Sequence, residues 1–183
     1  MRLLASNPQL EITWIVFSSS PEREREAHNS AAMFLANAGK IDVIVKNFRD
    51  GFFPFEGTEI KQLFEELKRR LNPDLVFTHN KKDAHQDHRT LAELTWNTFR
   101  NHTILEYEIP KYDGDIGQPN FFVPLDKGSF QNKIRFLMTA FQSQRSKRWF
   151  EEETFLALMR LRGMECNSES GYAEAFYTQK LVL

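Results

Sequence analysis

Short apolar runs alternate with longer segments of helical periodicity along most of this sequence. The apolar runs, rich in β-branched and aromatic residues, predict strands at 10–18, 42–48, 74–78, 103–109, 121–124 and 175–182. The periodic segments predict helices at 21–38, 59–71, 86–100, 127–142 and 147–162. Because parallel strands need a crossover between them, usually a helix, this alternation predicts an α/β fold with a mostly parallel sheet and right-handed connections.

Composition limits the class of protein. The chain has 183 residues, 41% of them hydrophobic, which is enough for one domain with its own core, predicted to span 1–183. The net charge of −1 predicts no nucleic-acid partner. The single cysteine, Cys166, excludes a disulfide framework and a cysteine-rich zinc site, and it favours a cytoplasmic protein. No apolar run approaches the ~20 residues of a membrane span, and the sequence is compatible with a homo-oligomer.

Three loops are predicted to follow strands at one edge of the sheet, at 18–25, 49–57 and 79–88. Ligands of open parallel sheets bind at the carboxyl ends of the strands, so these loops are the expected site. The third, called the site loop below, runs His-Asn-Lys-Lys-Asp-Ala-His-Gln-Asp-His from His79 and leads from a strand into a helix. It is the main candidate for chemistry.

His85 and His88 are the central residues of the site loop. If Asp83 caps the following helix, with Gln86 three residues on as in a capping box, both histidines lie on one face of its first turn. Asp87 is then placed to accept an imidazole N–H, an arrangement that orients a metal ligand or a general acid. Solvated residues at a helix start are the alternative, although the helix dipole disfavours protonated histidines there.

The sequence around the site loop resembles a known family. Residues 73–79 followed by 83–89 are similar to the second signature of PIG-L/LmbE-type deacetylases. Weaker matches follow the family's order along nearly the whole chain, at 23–27 (Arg-Glu-Arg-Glu-Ala), 48–51 (Phe-Arg-Asp-Gly), 142–144 (Gln-Ser-Gln), 162–163 (Arg-Gly) and 172–176 (Tyr-Ala-Glu-Ala-Phe). The His-Gln-Asp-His block is the specific part of the match, and the other elements add to it collectively.

The resemblance implies a zinc-dependent hydrolase that removes an N-acetyl group, as from N-acetylglucosamine, in a small amino-sugar conjugate. It also implies a Rossmann-like three-layer sandwich. In the family's pattern His88 is the third zinc ligand. His85, oriented by Asp87, is implied to stabilise the oxyanion and to protonate the departing amine. Arg23 and Asp50 are implied to bind the substrate.

One part of the family's pattern is absent from these residues. Family members open with a strand that ends in His-Pro-Asp-Asp, whose His and second Asp bind zinc and whose first Asp is the general base. The 183 residues contain no such sequence. The resemblance therefore implies that a central strand is missing between those predicted at 10–18 and 74–78, which leaves two unpaired edges. The chain as given is expected to supply one zinc ligand of three, and to be inactive without that segment.

Other interpretations stay open at this stage. Arg23, within a run of alternating charges, and Asp50, before a glycine, both suit ordinary solvated positions. The phenylalanines within 52–55 suit packing better than a sugar-binding wall, and His79 is a candidate to support the two histidines. The competing function is a non-catalytic α/β domain that binds a sugar or a nucleotide. The sequence does not name the N-acetyl substrate.

Overall fold

In the computed structural model, residues 2–181 are described and form two compact units. The first unit comprises residues 2–48 and 124–174, and the second comprises 49–123 and 175–181. The assignment of a single domain stays a prediction. No helix in the described part of the chain is long and apolar enough to cross a membrane.

The helices and strands follow the predicted alternation. The helices are α1 (Arg2–Ser6), α2 (Pro21–Phe34), α3 (Gly57–Arg70), α4 (Gln86–Thr98), α5 (Lys127–Ala140) and α6 (Glu152–Glu165). The strands are β1 (Glu11–Val16), β2 (Lys40–Val45), β3 (Leu75–His79), β4 (Thr103–Tyr107), β5 (Phe121–Pro124) and β6 (Ala173–Tyr177). Short 3-10 helices lie at Phe53–Phe55 and Gln142–Gln144. The 3-10 helices and α1 have no predicted counterpart.

In the first unit, β1 and β2 are parallel neighbours joined by α2, with Ile12 opposite Ile41. The hydroxyl of Ser20 caps α2 by accepting a hydrogen bond from the backbone N–H of Arg23 at 3.4 Å. Pro21 occupies the first helical position, where no N–H is needed. This strand–helix–strand arrangement is the βαβ unit that the alternation predicts.

A cluster of buried apolar side chains forms the core of the first unit around α5 and α6. Its members are Leu125, Ile134, Phe150, Phe155 and Met159. The sequence predicts a helix from 147, but α6 begins only at Glu152. The preceding residues form a turn, in which the N–H of Phe150 donates to the carbonyl of Lys147 at 2.9 Å. The later start of α6 follows because this turn places Phe150 in the core.

The second unit contains a four-stranded sheet in the order β3-β4-β6-β5. β3 and β4 are parallel, with Phe77 opposite Leu105, and β6 runs antiparallel to β4. Pro124 of β5 and the first two residues of β6 are assigned to the first unit. The helices α3 and α4 contact each other, and α4 also contacts β3. This packing places the start of α4 beside the end of β3.

The fold class is α/β with mostly parallel strands in two sheets, as the alternation predicts. In the described residues, β1 pairs only with β2, and β3 lies at the end of the other sheet beside β4. The resemblance predicts unpaired edges at these same two strands. That a further strand belongs between them stays a prediction.

Candidate active site

The site loop lies in the second unit, between β3 and α4. The N-cap of α4 is His85, whose ring Nδ1 accepts a hydrogen bond from the backbone N–H of Asp87 at 3.3 Å. Asp83 does not cap the helix. Its Oδ1 instead accepts the backbone N–H of His85 at 2.8 Å. The predicted capping box of Asp83 and Gln86 is therefore wrong, because the Asp83 carboxylate is turned to other partners.

One of those partners is the second histidine of the motif. Oδ2 of Asp83 lies 2.9 Å from Nδ1 of His88, and only 4% of the Asp83 side chain is exposed. An ionised carboxylate can only accept hydrogen bonds, so Nδ1 of His88 carries the hydrogen, and the lone pair of the neutral ring is on Nε2. A carboxylate that holds an imidazole in this way is the usual partner of a metal-binding histidine.

In His85 the hydrogen is on the other ring nitrogen, as follows from the hydrogen bond that caps α4. Because Nδ1 of His85 accepts the Asp87 N–H, the neutral ring carries its hydrogen on Nε2. The rings of His85 and His88 are 4.6 Å apart between centroids and are tilted by 30°. The pair thus combines an N–H donor at His85 with a lone pair at His88. Such a combination can polarise a carbonyl group beside a metal.

The donors around Asp83 keep its carboxyl ionised. Burial favours the neutral form, but hydrogen bonds from His88, from the backbone of His85 and from Lys111 outweigh it and hold the pKa of Asp83 well below its usual range. Burial likewise disfavours the charged form of Lys111, but its bonds to Asp115 and Asp83 outweigh it and raise the pKa of Lys111. At neutral pH the carboxylate and the ammonium are both charged.

His79, the last residue of β3, stacks on His88. The two ring centroids are 4.0 Å apart and the ring planes differ by 9°. Burial lowers the pKa of His79 to about 3. Together with Asp83, these histidines place potential metal-ligand atoms within 4.8 Å of one another. Imidazole lone pairs lie in the ring planes, however, so two parallel stacked rings do not converge on one ion, and His79 supports His88 by stacking.

Asp87 ties a second loop, residues 49–53, to the start of α4. Its buried carboxylate accepts the backbone N–H groups of Gly51 at 2.6 Å and Phe53 at 3.1 Å. Gly51 has a φ of +81°, a left-handed conformation that favours glycine. The Asp87 carboxylate therefore holds this loop, in place of the imidazole N–H predicted for it. The assignment of Asp87 as a catalytic residue stays a prediction.

Asp50 and Arg23, the predicted substrate contacts, belong to different units. Asp50 is exposed on the loop that Asp87 holds in the second unit. Arg23 is exposed in the first turn of α2 in the first unit. Exposure is what a substrate contact needs, and both roles stay predictions.

Two of the weaker sequence matches meet in the first unit. Glu26 is buried in α2, and its carboxylate accepts hydrogen bonds from the backbone N–H and the hydroxyl of Ser143 at 2.7 and 2.6 Å. Ser143 lies in the 3-10 helix Gln142–Gln144 that follows α5. The glutamate of the Arg-x-x-Glu element and the serine of the Ser-Gln element therefore form a structural pair.

Lys111 and Asp115 also contact the site loop, and the sequence does not predict this role for either residue. The ammonium of Lys111 lies 3.1 Å from Oδ1 of Asp83 and contacts Asp115, whose Oδ2 accepts the backbone N–H of Ala84 at 2.6 Å. Both residues come from the loop between β4 and β5, which reads Lys-Tyr-Asp-Gly-Asp from Lys111. Its composition is typical of a polar turn, so no local signal points to the site.

Comparison with known proteins identifies the family. A profile of the PIG-L family, described as GlcNAc-PI de-N-acetylase, matches residues 9–99, which include the site loop and the 49–53 loop. This chain belongs to the PIG-L family. No curated protein has a significant sequence match to it.

Solved structures share the fold of this PIG-L chain. The conserved protein TT1542 from Thermus thermophilus is 20% identical, with a TM-score of 0.74, over 100% of this chain and 86% of that one. An N,N′-diacetylchitobiose deacetylase from Pyrococcus horikoshii is 18% identical, with a TM-score of 0.66, over 92% and 73%. GalB, the 4-carboxy-2-hydroxymuconate hydratase from Pseudomonas putida KT2440, is 14% identical, with a TM-score of 0.69, over 93% and 84%. Such distant likeness establishes the fold alone, since one fold can carry different reactions.

Proposed function

We propose that this chain is a metal-dependent hydrolase that removes the N-acetyl group from an amino-sugar-containing substrate. The observation that carries the proposal is a pair of histidines, within the segment that matches the family, whose Nδ1 atoms have opposite hydrogen-bonding roles. Nδ1 of His88 donates to the Asp83 carboxylate, and Nδ1 of His85 accepts the Asp87 N–H at the start of α4. Attack on an amide carbonyl benefits from both a Lewis acid and an N–H donor to the oxyanion, and the two histidines suit these two tasks.

Zinc is the proposed metal, with His88 as a ligand through Nε2. The donor chemistry fits, because a neutral imidazole whose Nδ1 is bonded to a carboxylate is a common zinc ligand. When bound, zinc would supply a Lewis acid for the amide carbonyl and for a water molecule. Catalytic zinc sites usually take three protein ligands. We propose that the other two, together with the general base, come from a His-Pro-Asp-Asp segment as in the family's pattern.

His85 is proposed to act on the oxyanion of the substrate. Its Nε2–H is available to donate a hydrogen bond to the oxygen that becomes negative during attack. Proton transfer from His85 to the departing amine needs the doubly protonated ring, whose Nδ1 no longer accepts the Asp87 N–H. The role of oxyanion donor keeps this hydrogen bond, whereas the role of general acid would break it, and we therefore propose the former.

Substrate contacts are proposed on the 49–53 loop and the 3-10 helix that follows it. The sequence predicts packing for all of the phenylalanines here, and Phe53 is indeed buried. Phe52 and Phe55, however, are 37% and 78% exposed. Aromatic rings exposed in this way suit stacking on a sugar ring, although the Arg49 guanidinium already lies over one face of Phe52, 3.6 Å from the ring centroid. We propose that they bind an N-acetylated sugar conjugate, with Asp50 accepting its hydroxyl groups and Arg23 adding a charged contact.

The competing proposal is a non-catalytic domain that binds a sugar. It is favoured by one observation: of the three zinc ligands in the family's pattern, the 183 residues contain His88 alone. This proposal predicts sugar binding without acetate release, whether or not zinc is present.

Acetate release from a panel of N-acetyl sugars tests the two proposals. We expect zinc-dependent release by a protein that carries a His-Pro-Asp-Asp segment upstream, and little release by the 183-residue chain alone. His88→Ala should abolish release by the extended protein. His28→Ala is the matched control, because His28 is an exposed histidine of α2 in the first unit. A zinc-loaded extended protein that binds these sugars but releases no acetate would refute the hydrolase.

A further inference from the structure

Lys111 is a cation with little solvent exposure, and its ion pairs reach the proposed site. Its side chain is 9% exposed, and Nζ lies 3.1 Å from Oδ1 of Asp83 and 3.7 Å from Oδ2 of Asp113, and also contacts Asp115. A lysine is rarely buried to this extent unless carboxylates compensate for the lost water. Asp113 and Asp115, which belong to the same loop as Lys111, already provide this compensation. The bond to Asp83 therefore needs a separate explanation.

Asp83 divides its two oxygen atoms between this lysine and the histidine. Oδ1 accepts the backbone N–H of His85 at 2.8 Å and contacts the Lys111 ammonium. Oδ2 faces Nδ1 of His88 at 2.9 Å. Rotation of the carboxylate away from His88 would break both contacts of Oδ1. The ammonium thus restricts the orientation in which Oδ2 meets the imidazole.

The backbone next to Asp83 is held by the same loop. Oδ2 of Asp115 accepts the N–H of Ala84 at 2.6 Å and also contacts the Lys111 ammonium. The Lys111 ammonium consequently contacts both the carboxylate of Asp83 and that of Asp115, which binds the backbone N–H of Ala84. A displacement of this side chain would loosen the carboxylate and the backbone together.

We propose that Lys111 is a positioning residue for His88. By holding the Asp83 carboxylate in place, it keeps the hydrogen of His88 on Nδ1 and leaves Nε2 as the metal-binding atom. The inference rests on the proposed function, in which His88 is a zinc ligand. Loss of an outer partner of a metal-bound histidine typically costs about 10- to 100-fold in metal affinity or activity.

Nitrogen-15 NMR of the His88 imidazole tests this directly, because it reports which ring nitrogen carries the hydrogen and needs no metal. We expect a single Nδ1–H tautomer in the parent protein and a mixture of tautomers in Lys111→Met. Lys111→Arg, which keeps the charge, should restore most of the parent spectrum. Asp113→Asn is the matched control, since Asp113 contacts Lys111 at 3.7 Å but has no contact with His88 or Asp83 among the described hydrogen bonds and ion pairs.

Titration with Zn²⁺ alone gives the second readout. Lys111→Met should weaken zinc binding by about 10- to 100-fold, whereas Asp113→Asn should stay within about twofold of the parent. A folded Lys111→Met protein with the parent tautomer and the parent zinc affinity would overturn the inference. If the methionine variant does not fold, Lys111→Gln, which keeps a donor to Asp115 without the charge, is judged by the same two measurements.

Acetate release separates this inference from the proposed function. If the extended protein releases no acetate but the His88 tautomer changes in its Lys111→Met variant, the hydrolase is refuted and the positioning role is supported. An active extended protein whose Lys111→Met variant keeps both the tautomer and the zinc affinity refutes the positioning role alone.

Discussion

Asp87→Asn would weaken the connection between α4 and the 49–53 loop. The loss of stability can be worked out from the hydrogen bonds of the Asp87 carboxylate. The carboxylate of Asp87 accepts the N–H groups of Gly51 and Phe53 at 2.6 and 3.1 Å, with 2% of the residue exposed. Asparagine keeps one acceptor oxygen but presents an NH₂ group to the second donor. One charge-assisted bond worth about 1.5–3 kcal/mol is then lost. The missing charge in the first helical turn adds about 0.3–1 kcal/mol. We expect the free energy of unfolding to fall by about 2–4 kcal/mol.

Urea unfolding followed by circular dichroism measures this change. Glu93→Gln is the matched control, an exposed acidic residue of the same helix whose substitution should change stability by less than about 0.5 kcal/mol. Limited proteolysis reports on the loop separately, and we expect faster cleavage within residues 49–55 of Asp87→Asn. An unchanged urea midpoint and slope in this variant, with the loop still protected, would show that the two bonds do not hold the loop in place.

Three further predictions concern other contacts. The pKa of His79 is about 3 in the folded chain against an ordinary 6.5, so on acidification the unfolded chain takes up this proton first, and the free energy of unfolding decreases as the pH is lowered from 6.5 towards 3. His79→Phe should make this decrease smaller in urea unfolding at several pH values, and an unchanged pH dependence would contradict the reasoning. In a protein extended by His-Pro-Asp-Asp, His88→Ala should lose zinc and acetate release together, while His85→Ala keeps zinc in metal analysis and loses about 10²–10³ in turnover. If His85→Ala releases acetate at the parent rate, the role proposed for His85 is refuted. Glu26→Gln should lower the free energy of unfolding by about 1.5–3 kcal/mol, and adding Ser143→Ala should cost little more, because the two residues act as a pair; fully additive losses would show that they do not.

The segment that carries the histidines was predictable because its signals are local. The strand predicted at 74–78 corresponds to β3 (Leu75–His79), and the predicted helix start at 86 is the observed start of α4. Local sequence does not decide which of two nearby carboxylates meets an imidazole. Asp83 precedes the helix, so its side chain can turn to His88, whereas Asp87 lies within the first turn and meets the 49–53 loop.

Contacts between residues far apart in sequence were not predictable. Lys111 lies in a polar loop whose composition indicates only a turn, and its bond to Asp83 exists because that loop folds back on the end of β3. The start of α6 depends on packing in the same way. Helical periodicity extends back to 147, but burial of Phe150 in the core keeps the preceding residues in a turn. Periodicity describes one element at a time and contains no information on such competition.

The stack of His79 on His88 gives the site a spectroscopic signature. Each imidazole lies over the other at 4.0 Å and nearly parallel to it. An aromatic ring current shields protons above the face of the ring, so the ring protons of both histidines should resonate upfield of those of the exposed His28. A one-dimensional proton spectrum can therefore follow the stack while zinc is added, and a downfield return of these signals would record His88 leaving His79 as it binds the ion.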